Sequence, residues 1–311
     1  MRGQNLQRVK MSTISIFMYH DIRDVNPNDM FYNRYQNRSF VNVQQFKNQL
    51  FYMKDRFKFI SPFDIKSAIA DKSDSHYAVM TFDDGLIDHY DILPLLNKYN
   101  IIGTFFIPGN VLHKNFIIDS NQVQMLESEV DMHALAQEIL DLLGDEKDEA
   151  WEKYSKSKFR VNTWTKEKTF ITNCLRDHPK DLLNPLFRKY ISEDYESISN
   201  MFYLNENHIK EMVNAGHIIG GHGFASKNLL LFNSEDMRKD LYLTKEFINQ
   251  YQNKFIFSYP NGRYNDEIIE VLQDLDCHYS FTTEDKSLTE FDIYEDLKLP
   301  RYCAPQRIPY N

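Results

Sequence analysis

Short apolar runs recur along the chain, and each stops abruptly at a polar or charged residue. Ile14, Ile16 and Met18 alternate with Ser15, Phe17 and Tyr19 before His20-Asp21, which predicts a largely buried first strand with a histidine at its tip. The stretch 24–38 is rich in Asn, Asp, Tyr and Arg without an apolar period and reads as a long surface loop. Phe46, Leu50 and Met53 then return at helical spacing behind Asn42, a good N-cap. A short strand is predicted over 57–60, and Ser61-Pro62 opens another helix in cap-then-proline order. Next come a strand over 77–82, a helix from about 88 to 99, and a strand over 103–107 closed by Pro108-Gly109.

From about 111 to 201 the alternation breaks into a charged, mostly helical pattern, with Leu135, Ile139 and Leu142 predicted on one face. This reads as an insertion. Beyond it, a helix behind Asn205 stops at Gly216, and a strand over 217–220 ends in Gly221-His222-Gly223. Helices over 234–250 and 266–275, strands over 255–259 and 278–282, and an extended stretch over 297–301 follow. Repeated strand–helix units imply a mostly parallel sheet, closed or nearly closed into a barrel. The expected class is therefore α/β: a single domain over 1–311 with an insertion at about 111–201.

Composition narrows the function. Lys plus Arg at 36 against Asp plus Glu at 45 gives a net charge of −9, which opposes binding to nucleic acid. No apolar run approaches the length of a membrane span, and 1–10, with Arg2, Arg8 and Lys10, lacks the apolar stretch of a secretory signal. The expected location is cytoplasmic. Cys174, Cys277 and Cys303 are far apart and form no Cys-x-x-Cys, so neither a disulfide framework nor a thiolate zinc site is expected. The chain also lacks a phosphate-binding Gly-x-x-x-x-Gly-Lys loop and a Gly-x-Ser-x-Gly elbow.

Candidate chemistry collects at strand ends: His20, Asp83-Asp84, His222, and Tyr259-Pro260-Asn261-Gly262. Asp-Asp-Gly by itself reads equally well as a turn. In a parallel barrel, however, all strand C-termini share one face, so these groups converge despite their separation in sequence. Two carboxylates and a histidine suit a divalent metal plus a base: one Asp and His222 ligate zinc, while the other Asp takes a proton from water.

In this order the motifs resemble the polysaccharide deacetylases of the NodB-homology class, carbohydrate esterase family 4. The resemblance rests on Met18-Tyr19-His20, Thr81-Phe82-Asp83-Asp84-Gly85, Gly103-Thr104-Phe105-Phe106-Ile107-Pro108, Gly216 to Gly223, Phe257 to Gly262 and Leu299-Pro300-Arg301. An insertion beginning Leu112-His113-Lys114 resembles a subgroup associated with surface polysaccharides. The resemblance implies a distorted (β/α) barrel and metal-dependent removal of an N-acetyl or related acyl group from an amino sugar. The substrate would be a glycan, or a nucleotide- or lipid-linked sugar. Carried over by position, Asp83 is the general base, and Asp84 and His222 are metal ligands. The backbone N–H of Asn261, within the substrate segment Tyr259-Pro260-Asn261, faces the oxyanion. Arg301 is the candidate to orient Asp83, because Ser258 stands where many relatives carry an arginine. His20 is the candidate proton donor to the leaving amine. The usual third metal ligand, a histidine, is replaced by Ser226, leaving Ser226, His20 or His113 to complete the site. The alternative is a family member that binds a glycan or a protein partner without hydrolysis.

Overall fold

The computed structural model describes residues 12–29, 32–36, 40–71, 73–113, 115–156, 164–192, 194–289 and 295–309. The N-terminal 1–10 segment and Lys114, both considered above, lie outside the described residues. The chain divides into two compact units, one formed by 1–23, 40–112 and 203–311, the other by 24–39 and 113–202.

The described residues of the first unit form eight strands: β1 (Thr13–Tyr19), β2 (Lys58–Phe59), β3 (His76–Asp83), β4 (Gly103–Ile107), β5 (Ile218–Gly221), β6 (Ile256–Ser258), β7 (Tyr279–Phe281) and β8 (Tyr302–Cys303). Their order is β7-β6-β5-β4-β3-β1-β8, with β2 paired to the start of β3, and all these pairings are parallel. Parallel neighbours require crossovers, and helices such as Val43–Lys54 and Ser234–Asn249 supply them. The segment leading into β8 joins the two edges of this sheet. Leu299 pairs with Phe281 of β7, and Tyr302-Cys303 pairs with Phe17-Met18 of β1. The sheet therefore curls into a distorted (β/α) barrel.

Strand alternation separates two apolar layers. Ile14, Ile16, Val79, Phe106, Ile256 and Phe281 belong to one buried cluster. On the opposite pleat, Phe82 stacks on Phe105 with ring centroids 4.8 Å apart and on Tyr19 at 5.7 Å, under Phe46 of the helix Val43–Lys54. That helix starts where the sequence placed it: the Asn42 side chain accepts the N–H of Gln45, and the Gln45 side chain accepts the N–H of Asn42. The helix expected over 88–99 is in two pieces, Asp88–Asp91 and Leu93–Lys98. Pro94, at the start of the second piece, has no N–H to continue the ladder.

The second unit is helical and includes Asp119–Glu129, Met132–Leu143, Lys166–Asp177 and Tyr195–Phe202. Leu135 and Ile139 are buried as expected, whereas Leu142 is 56% exposed. The stretch 24–38, read as a surface loop, falls within this unit and carries the short helix Tyr32–Gln36. Its anchor is polar, which explains why an apolar period missed it. Buried Arg34 donates to Gln124 Oε1 at 2.7 Å and Asn121 Oδ1 at 3.1 Å, beside the rings of Tyr35 and Phe202. Trp151 packs on Phe170, and Lys168 lies over Trp164. No helix among the described residues is long and apolar enough to cross a membrane.

Candidate active site

β3 ends in a turn made of two successive left-handed residues, Asp84 (φ 78) and Gly85 (φ 63). Gly85 is required twice over. Its φ disfavours a side chain, and a Cβ there would lie 3.0 Å from Ile107 Cγ2. The chain returning from the insertion holds this turn, as the Leu204 N–H donates to the Gly85 carbonyl at 3.0 Å. Asp83 and Asp84 are thereby turned to different partners.

Asp83, 2% exposed, forms a two-pronged ion pair with Arg301: Nη1 to Oδ1 at 2.7 Å and Nη2 to Oδ2 at 2.8 Å. Arg301 also donates to the Thr282 carbonyl, to Thr81 Oγ1 and to Ser258 Oγ, and its guanidinium lies over the Phe106 ring. Burial opposes ionisation of Asp83, but the Arg301 charge, with smaller contributions from His222 and His20, outweighs it and holds the carboxyl well below the usual carboxylate range. Asp83 is thus a fixed carboxylate. Its Oδ2 accepts from both Arg301 and Ser258, whereas Oδ1 takes the single donor Nη1 and keeps a lone-pair direction for another partner.

Asp84 faces His222, with Oδ1 3.5 Å from the imidazole Nε2. His222, 4% exposed, donates from Nδ1 to the Ser258 carbonyl at 2.9 Å, which fixes the ring and aims Nε2 at Asp84. Burial disfavours the charged imidazole, but Asp83 and Asp84 together outweigh it and raise its pKa. Ser258 therefore joins both halves of the site, its hydroxyl to Asp83 and Arg301, its carbonyl to His222. The sequence marked Ser258 only as the residue standing where many relatives carry an arginine.

The family model for polysaccharide deacetylases matches residues 188–280. No curated protein sequence matches the chain. Among solved structures, the deacetylase PplD of Streptococcus pyogenes, in complex with acetate, superposes with a TM-score of 0.58 at 18% identity, covering 93% of this chain and 91% of its own. IcaB from Ammonifex degensii gives a TM-score of 0.56 at 15% identity, over 94% and 91%. Over 188–280 the chain matches the polysaccharide-deacetylase family, and its fold is that of these solved deacetylases.

Tyr259 is 1% exposed, with its hydroxyl donating to the Leu297 carbonyl and its N–H to the Phe281 carbonyl. Both donors are spent in the core, so Tyr259 does not present itself to a substrate. Pro260 is buried in the following turn, and Asn261, exposed and left-handed at φ 58, forms its tip. His20 follows β1, whose register sets Tyr19 beside Phe82, so His20 stands level with Asp83. It is half-buried, and its carbonyl accepts from Nε2 of buried His89 at 2.9 Å.

The donor set suits a divalent ion only in part. The Asp84 carboxylate and the His222 Nε2 point at each other, and the Nδ1–H bond to a carbonyl is the support that ligating histidines usually have. Among the described residues, however, no three His, Cys, Asp or Glu side chains lie together as a metal-holding group. His20 is near enough to Asp83 and Asp84 to favour their charged forms, and His113 falls within the helical unit. Ser226 is buried at 7% exposure with φ 50 in the loop after His222, but a hydroxyl is a poor zinc ligand.

Proposed function

We propose that the protein hydrolyses an acyl group, acetyl above all, from an amino sugar in a polysaccharide or in its nucleotide- or lipid-linked precursor. The carrying observation is the Arg301-clamped Asp83 beside the Asp84–His222 pair at the strand ends of a deacetylase fold. Asp84 and His222 would hold a divalent ion, zinc by its preference for nitrogen and oxygen donors, with Ser226 and water as weaker neighbours. When bound there, zinc supplies Lewis-acid polarisation of the acyl carbonyl.

The protein's own groups supply the rest. Asp83 accepts the proton of the attacking water at Oδ1, while Arg301 fixes its orientation and charge. The backbone N–H of Asn261 is assigned to the developing oxyanion, and His20, beside Asp83, to protonation of the departing amine. Release of acetate accords with the acetate held by the Streptococcus pyogenes deacetylase.

The test is acetate release from N-acetylated sugar oligomers and nucleotide-linked amino sugars, run beside metal analysis of the purified chain. A purified chain that neither retains zinc nor releases acetate, even after zinc is supplied, would sink the proposal. Ser226 favours a second reading, glycan binding without hydrolysis. Ser226→His separates the two: about tenfold tighter zinc binding together with newly gained hydrolysis would show that the present chain is a binding protein with an incomplete site.

A further inference from the structure

The loop that carries His222 to Ser226 is held by polar contacts on both flanks. It turns through two left-handed residues, Gly223 (φ 67) and Ser226 (φ 50). Between them, the Phe224 N–H donates to Asp240 Oδ1 at 2.8 Å and the Ala225 N–H to Asp240 Oδ2 at 3.0 Å. Asp240 lies within the helix Ser234–Asn249 and is 7% exposed. A carboxylate rarely stays buried unless its oxygens are satisfied, and here each oxygen takes one loop amide.

The same helix is seated just before His222. A Cβ on Gly221 would lie 2.3 Å from Thr244 Cγ2, and the Thr244 hydroxyl donates to the Asp240 carbonyl at 2.7 Å. On the other flank, the Phe224 carbonyl accepts from the Asn110 N–H at 2.8 Å, and the Phe224 ring occupies the space a Cβ on Gly109 would need. Gly223 is wedged as well, since its Cβ would meet Asp240 Oδ1 and Pro260 Cγ, both at 3.3 Å. Every contact fixes the path of the backbone between the two residues.

We propose that Asp240 is a positioning residue: by gripping the amides of Phe224 and Ala225 it sets where His222 and Ser226 stand toward the metal position. This rests on the deacetylase reading for its functional consequence, though not for its geometry. Asn in place of Asp offers a single acceptor oxygen and sets an amide donor against the other loop N–H, so the loop is released on one side while the helix keeps its side-chain volume. Losing an outer partner of a metal ligand typically weakens metal binding by about 10–100-fold.

The experiment compares full-length wild type with Asp240→Asn and Asp240→Ala. It follows zinc affinity by chelator competition, amide hydrogen exchange over 222–226, the His222 Nδ1–H resonance, and the thermal midpoint. Asp240→Asn is expected to unfold near the wild-type midpoint, to exchange faster at Phe224 or Ala225, and to bind zinc about tenfold more weakly. Asp240→Ala should show the larger effect, and if it fails to fold, the Asn variant decides. A folded Asp240→Asn with wild-type loop exchange and wild-type zinc affinity overturns the proposal, as does a loss of zinc affinity that follows only the fall in folded fraction. Should wild type take up no zinc, the deacetylase reading fails by itself. Loop exchange and the Nδ1–H resonance then decide: both altered in Asp240→Asn supports positioning, and both unchanged refutes it.

Discussion

Arg301 does three jobs with one guanidinium: it neutralises Asp83, orients it through two parallel hydrogen bonds, and ties Ser258 and the Thr282 carbonyl into the same network. Arg301→Leu is therefore expected to leave an uncompensated buried carboxylate and to cost about 3–5 kcal/mol in urea-induced unfolding. Arg301→Lys keeps the charge but not the planar fork, so it should remain folded and lose acetate release far more than stability. Equal losses in the two measurements for the lysine variant would contradict an orienting role. At this scale the sequence was a good guide to types and a poor guide to directions. The meeting of Asp83, Asp84 and His222 was legible because strand ends of a parallel barrel share one face, whereas Arg301 was singled out only through the family resemblance. The inward turn of Tyr259 was not, because it depends on a carbonyl at Leu297 that no local pattern points to.

The strand-to-turn element Thr81-Phe82-Asp83-Asp84-Gly85 works through its backbone. Asp84 accepts a left-handed conformation, which non-glycine residues adopt at a cost of roughly 1–3 kcal/mol, so that consecutive carboxylates face Arg301 and His222. Gly85→Ala would add a second such residue and press a methyl group against Ile107, so a loss of roughly 1–2 kcal/mol is expected by chemical denaturation. An unchanged midpoint would mean the turn can relax. Most elements were readable from apolar period and caps, including the start of Val43–Lys54 at Asn42 and of Glu206–Asn214 at Asn205. The failure at 24–38 is instructive: its attachment runs through buried Arg34 and side-chain amides, which hydrophobic periodicity cannot register.

For the whole molecule, stability toward acid should depend in part on a histidine outside the site. His217 is buried; its Nδ1 accepts the Gly103 N–H at 3.1 Å, and Nε2 has no hydrogen-bond partner among the described residues. Burial lowers its pKa, so the folded state holds it neutral while the unfolded chain binds a proton near pH ~6.5. Its contribution is thus present above that pH and is lost progressively as the pH falls below it. His217→Asn, which keeps an acceptor for Gly103 without a titrating group, should flatten the decline in urea midpoint between pH 7.5 and pH 5. Parallel curves for the variant and wild type would rule this out.

The Asp83–Arg301 pair spans 218 positions of the chain. During synthesis β3 and its paired acids emerge long before their counter-charge exists, and the strand that ties β7 to β1 is made with Arg301. Barrel closure and neutralisation of the Asp83 carboxylate are therefore one late event, and a chain stalled short of residue 301 would hold an open-edged sheet with a buried acid that has reason to stay wet. The paired site cannot be assembled ahead of the fold that encloses it.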